Sequence, residues 1–283
     1  MGMVYAIFSL GFAGVNDVVF KKYGQRRRSV GLLLAIAGLV WTLFFLGLGL
    51  AKNTLEFEVS SVLIGSVSGL FSAFANILLV EAMKKTGASV ASTIYRLNLV
   101  FVAILAFLFL DESIGMLKVL GLLAAIVAVF LFSIRRDAVE QNDLAVKFLL
   151  LLVLASFLRA CMGISYKLAS SFCSNDEVFL AINGIWWMIA GCSYFLLRER
   201  SIPFTMSALK YSLLSGLLIC GIVLFLKLAV NKMDASIAVS ISQFSFLVTA
   251  PLTAFFMDEQ ITVLKGLGML LAALCVTLFF FAK

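Results

Sequence analysis

The chain has 283 residues, of which 63% are hydrophobic and 13% charged, with a formal net charge of +7. A soluble domain carries about 45–50% apolar and roughly 25% charged residues, so this composition excludes an ordinary soluble fold and makes a bilayer the solvent. The absence of histidine removes histidine-based metal sites, Ser-His-Asp triads and histidine proton relays.

Punctuating the chain at charged and turn-forming clusters predicts ten apolar spans. They cover roughly 3–20, 30–50, 59–80, 88–110, 113–133, 146–166, 178–197, 210–230, 233–256 and 260–282. The first lacks the basic leader and small-residue exit of a cleavable signal and reads as a spanning helix. Connections are short, the longest being "KKYGQRRRS", "IRRDAVEQND" and "RERSIPFTMSALK". The five cysteines, all in the second half and in no CxxC frame, read as small packing residues. No cofactor motif, metal centre or catalytic group is expected, and excess Lys and Arg belongs to membrane loops, with no nucleic-acid partner.

Displacing the chain by 147 positions aligns Ala82–Gly121 with Ala229–Gly268, with 16 identities in 40 positions and no gap. The matches include "DE" at Asp111–Glu112 and Asp258–Glu259, and the following Lys118 and Lys265. The fold class expected is therefore all-α integral membrane protein, ten transmembrane helices as two inverted five-helix repeats, 1–137 and 143–283. Five is odd, so the second unit enters from the opposite side, as in secondary transporters whose substrate sits near the midplane. The same parity puts the two acidic pairs on opposite faces, roughly 30 Å apart, which rules out a shared carboxylate site. Each is expected to complement the N-terminus of the helix that follows it, with Lys118 and Lys265 snorkelling to the same interface.

With "KKTGASVASTIYRLNLVFVAILAFLFLDESIGMLKVLG" and its copy "NKMDASIAVSISQFSFLVTAPLTAFFMDEQITVLKGLG", the chain resembles the drug/metabolite transporter superfamily, EamA type. The resemblance implies a ten-helix basket, with helices one, three, four, six, eight and nine around a central cavity, two and seven moving, and five and ten as scaffold. It also implies small amphiphilic substrates such as amino acids, nucleobases, sugars or drugs, exported by a monomer or homodimer in a bacterial inner membrane. Two departures stand out. Asp111 precedes Glu112 where the family commonly has Gly, and Leu99 and Phe246 replace a common mid-helix Pro.

Ionisable groups inside spans are costly and mark function. Arg96, deep in the fourth span, is a candidate for a substrate carboxylate or phosphate, or a pair for Asp17 or Glu81; its repeat mate is Gln243. Arg159, mid-way through the sixth span, follows the same logic, with Asp17 a candidate to offset it. Asp17 reads either as an interfacial cap or as a cavity carboxylate that protonates during transport. Glu81 and Lys227, near helix ends, are coupling or gating candidates. Tyr95, Asn98, Ser242, Asn76, Asn183 and Trp187 complete the cavity candidates, against the alternative that such polar groups hold helices together. Gly65-x-x-x-Gly69 reads as packing.

Thirteen Lys and Arg fall in the odd loops and four on the other side, which predicts odd loops in the cytoplasm and termini outside. The family resemblance implies termini inside. No nucleotide-binding motif is present, so transport is expected to be secondary, with proton coupling through Asp17 or Glu81 open. A lipid or lipid-linked flippase is the alternative, and a membrane-embedded enzyme is disfavoured.

Overall fold

The computed structural model describes residues 1–86, 91, 94–113, 115–133, 143–257 and 260–282. The acidic pair Asp258–Glu259, the repeat residues Ala88 and Ser89, the join following Asp137, and Lys283 lie outside the described residues.

Among the described residues every regular element is helical, as a bilayer demands of a chain that must satisfy its backbone within each segment. We number ten helices: α1 Gly2–Gly24, α2 Val30–Lys52, α3 Val59–Thr86, α4 Ile94–Phe109, α5 Met116–Ser133, α6 Asp143–Phe172, α7 Asp176–Glu199, α8 Met206–Val230, α9 Ala235–Met257 and α10 Val263–Phe281. Eight are long and apolar enough to cross a membrane. The stretches Ile94–Phe109 and Met116–Leu131 are apolar but shorter. Among the described residues, eight of the ten expected spans are met at full length.

Local chemistry sets several ends. Ser29 caps α2 by accepting from the Leu32 N–H at 3.0 Å, and Thr205 caps α8 through the Ala208 N–H at 3.2 Å. Asn53 closes α2 in the left-handed conformation, at φ 55°. The expected end of the sixth span at 166 is corrected: α6 runs to Phe172. Lys167, read as a loop residue, bonds the Val230 and Met233 carbonyls at 2.6 and 2.9 Å, satisfying the free C-terminal end of α8.

The helices pack in pairs drawn from both halves. α2 lies on α7, α5 on α10, α1 on α8 and α3 on α6. Further contacts join α2 to α8, α3 to α7, α1 to α9, α4 to α6 and α4 to α9. One continuous core runs through these pairs, from Ala6 and Trp41 to Phe246 and Phe279. Large apolar side chains such as Leu43, Phe107, Leu150 and Leu270 face outward, as lipid-facing positions do.

Two helices are interrupted. In α4 Leu97 leaves helical geometry with ψ 2°. In α9 a 3₁₀ turn at Gln243–Ser245 contains Phe244 with ψ 23°. Neither break holds a proline. Pro251 lies further along, inside a regular stretch of α9.

Candidate functional site

The α9 break frees backbone carbonyls, and Arg96 is aimed at them. Its Nη1 donates to the Gln243 carbonyl and, at 2.9 Å, to Ser245 Oγ. Its Nη2 pairs with Asp17 Oδ2 at 3.1 Å. The same carboxylate oxygen accepts from Ser245 Oγ at 2.6 Å and Thr249 Oγ1 at 3.2 Å. Phe246 lies under the guanidinium, 5.6 Å from its carbon. Asp17, Arg96, Ser245 and Thr249 thus form one charge-neutral knot joining α1, α4 and α9. Of the two arginines that Asp17 was expected to serve, it pairs with Arg96.

Arg96 also touches the residue 147 positions away, its own repeat mate. The side chain of Gln243 is mostly buried. Ser242 Oγ donates to the Val239 carbonyl of its own helix at 2.7 Å.

Beside this knot lies a second polar group, from α4 and α6. Asn98 and Tyr166 are fully buried, and Tyr95 has a buried hydroxyl. Among the described residues, neither amide atom of Asn98 nor either phenol has a hydrogen-bond partner. Arg159 acts electrostatically on both tyrosine hydroxyls. Its Nη1 reaches Met162 Sδ at 3.2 Å, a weak acceptor. The Ser156 hydroxyl, 3.4 Å from the Tyr95 carbonyl, ties α6 to α4 here.

The remaining candidates lie elsewhere. Asn183 is fully buried and bonds the Gly65 and Phe179 carbonyls, while its Oδ1 accepts from Ser68 at 3.0 Å. Trp187 donates to Ser72 Oγ at 2.8 Å. The Tyr194 hydroxyl donates to Glu81 Oε1 at 2.5 Å. Asn76 donates to the Ser72 carbonyl of its own helix at 2.7 Å. Asn183, Trp187 and Glu81 therefore share one polar seam between α3 and α7. Along it Gly65 and Gly69 let α7 approach, as a packing motif should.

Lys227 is 1% exposed and stands at the junction of α6, α7 and α8. It donates to the Tyr166 carbonyl and Ser170 Oγ at 2.9 and 2.8 Å, and pairs with Asp176 at 3.0 Å. A cleft of about 70 Å³ opens beside it, lined also by Phe45, Lys52 and Glu177. A second, of about 30 Å³, lies against Glu112 and Ser236. Neither approaches the ~300 Å³ of a preformed ligand pocket.

Two buried carboxylates escaped sequence reasoning as caps of helices distant in the chain. Glu112 accepts from the Ala235 N–H at 2.5 Å and from the Ser236 N–H and hydroxyl at 3.2 and 2.5 Å. Its charge therefore faces the N-terminus of α9 in the other half. This corrects the expectation that it serves α5. Lys118, expected to snorkel back to the same interface, is 6% exposed, bonds the Ser113 carbonyl at 2.8 Å and pairs with Asp234. Glu199, in the π-helical last turn of α7, accepts from Ser29 Oγ and the Gly31 N–H at 2.7 and 2.8 Å, at the N-terminus of α2. The "DE" motif signalled the first of these; nothing local signalled its partner.

No curated protein matches the chain. A solved crystal structure superposes with a TM-score of 0.83 at 15% identity, covering 98% of this chain and 95% of that one. At that identity the likeness speaks for the fold, and it spans both halves. Residues 1–134 match the EamA-like transporter family. With eight helices long and apolar enough to cross a bilayer, the chain is a multi-pass integral membrane protein.

Proposed function

We propose that the protein is a secondary transporter of small organic solutes, working by alternating access around the crossing of α4 and α9. The observation that carries this reading is the pair of helix breaks at Leu97 and Phe244, at matched positions of the two halves. Interrupted helices near the midplane are how such transporters present backbone and side-chain groups to a solute. In this reading residues 1–137 and 143–283 are inverted five-helix repeats.

The pairing of helices supports that arrangement. Exchanging the halves turns α1–α8 into α6–α3, α2–α8 into α7–α3 and α1–α9 into α6–α4. It maps α2–α7, α4–α9 and α5–α10 onto themselves. The solute site comprises Arg159, Tyr95 and Asn98, with Ser242 and Gln243 across the crossing. Arg96 and Asp17 form the hinge knot. Asn183 and Trp187 hold α7 to α3, Asn76 bonds within α3, and Glu81 and Lys227 pin helix ends. Protonation of Asp17 weakens its hold on Arg96, Ser245 and Thr249, which couples proton uptake to release of α9. Export is the direction that the family resemblance favours.

The test is uptake by vesicles holding the purified chain, screened with amino acids, sugars, nucleobases and aromatic acids under an imposed pH gradient. Flux above protein-free vesicles is expected, with its pH dependence flattened in Asp17→Asn. Scrambling of labelled lipid without solute flux would overturn the reading in favour of a flippase.

A further inference from the structure

We infer that the transported solute carries a carboxylate, received by Arg159 together with Tyr95, Asn98 and Tyr166. The inference rests on the transporter reading and deepens it. Charge accounting at the centre comes first. Arg96 is matched by Asp17 at 3.1 Å, but among the described residues no carboxylate forms an ion pair with Arg159. A guanidinium in mid-span costs about 2.5–3.5 kcal/mol on insertion scales, and such groups face a counter-charge or a wet path.

The surrounding groups say what that counter-charge is. Tyr166 lies seven residues from Arg159, on the same face of α6, and is fully buried with an unpartnered hydroxyl. Tyr95 and Asn98 flank the α4 break, one with an unpartnered hydroxyl and the other with both amide atoms unpartnered. Buried polar groups are nearly always satisfied, so a cluster of such orphans is itself an observation. Together they offer two O–H donors, an NH₂ and a guanidinium. The group that satisfies them all is an acceptor with negative charge. Asn98 Oδ1 leaves room for one donor on the solute.

A single guanidinium balances a monoanion. A phosphate dianion would carry one charge too many into an apolar setting, which selects the carboxylate. Val102 and Val239 border Gly163 one turn along α6 and provide an aliphatic wall for the rest of the solute.

The purified full-length chain in detergent is titrated with phenylacetate and benzoate, and with phenylacetamide and benzamide as neutral shape-matched controls, while its unfolding midpoint is followed. The carboxylates raise the midpoint with increasing concentration and the amides do not. Arg159→Gln weakens apparent carboxylate affinity by at least about tenfold, the scale of one lost charged hydrogen bond, whereas Arg159→Lys retains part of it. Should Arg159→Gln fail to fold, Tyr166→Phe, which removes one hydroxyl, is expected to weaken carboxylate binding and leave amides unaffected.

Equal shifts from acids and amides, no shift from either, or undiminished carboxylate binding in the folded variants overturns the assignment. So does stronger stabilisation by phenylphosphonate than by phenylacetate. Vesicle flux without preference for carboxylates removes this inference and leaves transport standing. Carboxylate binding without flux of any solute does the reverse.

Discussion

Asp111 shows how one position can be read through its backbone. It sits at φ 53°, in the left-handed region, at the turn between α4 and α5. A side chain there costs roughly 1–2 kcal/mol, which Gly avoids and Asp tolerates better than most. The departure from the family's usual Gly-Glu is therefore a substitution within the small set that this turn accepts. The turn matters because Glu112, next along, must reach Ala235 and Ser236. Asp111→Gly is expected to leave thermal stability unchanged or slightly raised. Asp111→Val is expected to lower it by about 1–2 kcal/mol; equal unfolding midpoints for the two variants would show that the turn does not constrain φ. For Arg96, depth within a span marked it as consequential. Its partner was open, because Asp17, Glu81 and a bound solute all satisfy the same charge.

Among the elements, α2 and α7 make the closest approach. A Cβ added at Gly38 would stand 2.5 Å from the Met188 nitrogen, and one at Gly191 would stand 2.3 Å from the Ala35 nitrogen. Gly31 meets Gly191 and Gly38 meets Gly184, so the two helices run antiparallel with their backbones almost touching. Without a hydrophobic drive between helices in lipid, such contact is how packing energy is gained. Glu199 pins one end of the pair at Ser29 and Gly31, and Lys52 pins the other on Glu177 at 2.7 Å. The family resemblance assigns motion to these two helices, and the seam implies that they move as one body. Gly38→Leu forces two backbones apart and is expected to cost at least about 1–3 kcal/mol. Its check is the unfolding midpoint and the monodisperse fraction in detergent, and a wild-type value for both would refute the close seam. The breaks in α4 and α9 were not legible, because no proline marks them. Arg96 compensates the α9 break by a bond to Gln243 that local propensity cannot encode.

For the whole molecule, orientation is the property that charge predicts and geometry does not. The odd loops and the helix ends beside them hold Lys21, Lys22, Arg26 to Arg28, Arg198 and Arg200, against Lys52 and Lys232 among the few on the other side. The prediction is checked by single cysteines in a background with the five native ones replaced. Asn53→Cys, in the loop after α2, is expected to react with an impermeant maleimide added to whole cells. Ser201→Cys, after α7, is expected to react only once the membrane is opened. The reverse pattern would favour the family's usual orientation.

The membrane class, the apolar segments and the 147-residue register were determined by the sequence itself. A hydrocarbon solvent imposes length and apolarity on each segment separately, so both can be read along one dimension. The identity of each polar partner was decided by the tertiary structure. Asp17 meets Ser245, 228 positions away, at 2.6 Å, and Glu112 caps a helix in the opposite half. Hydrogen bonds act over about 3 Å, and only the packing of distant helices brings such groups that close.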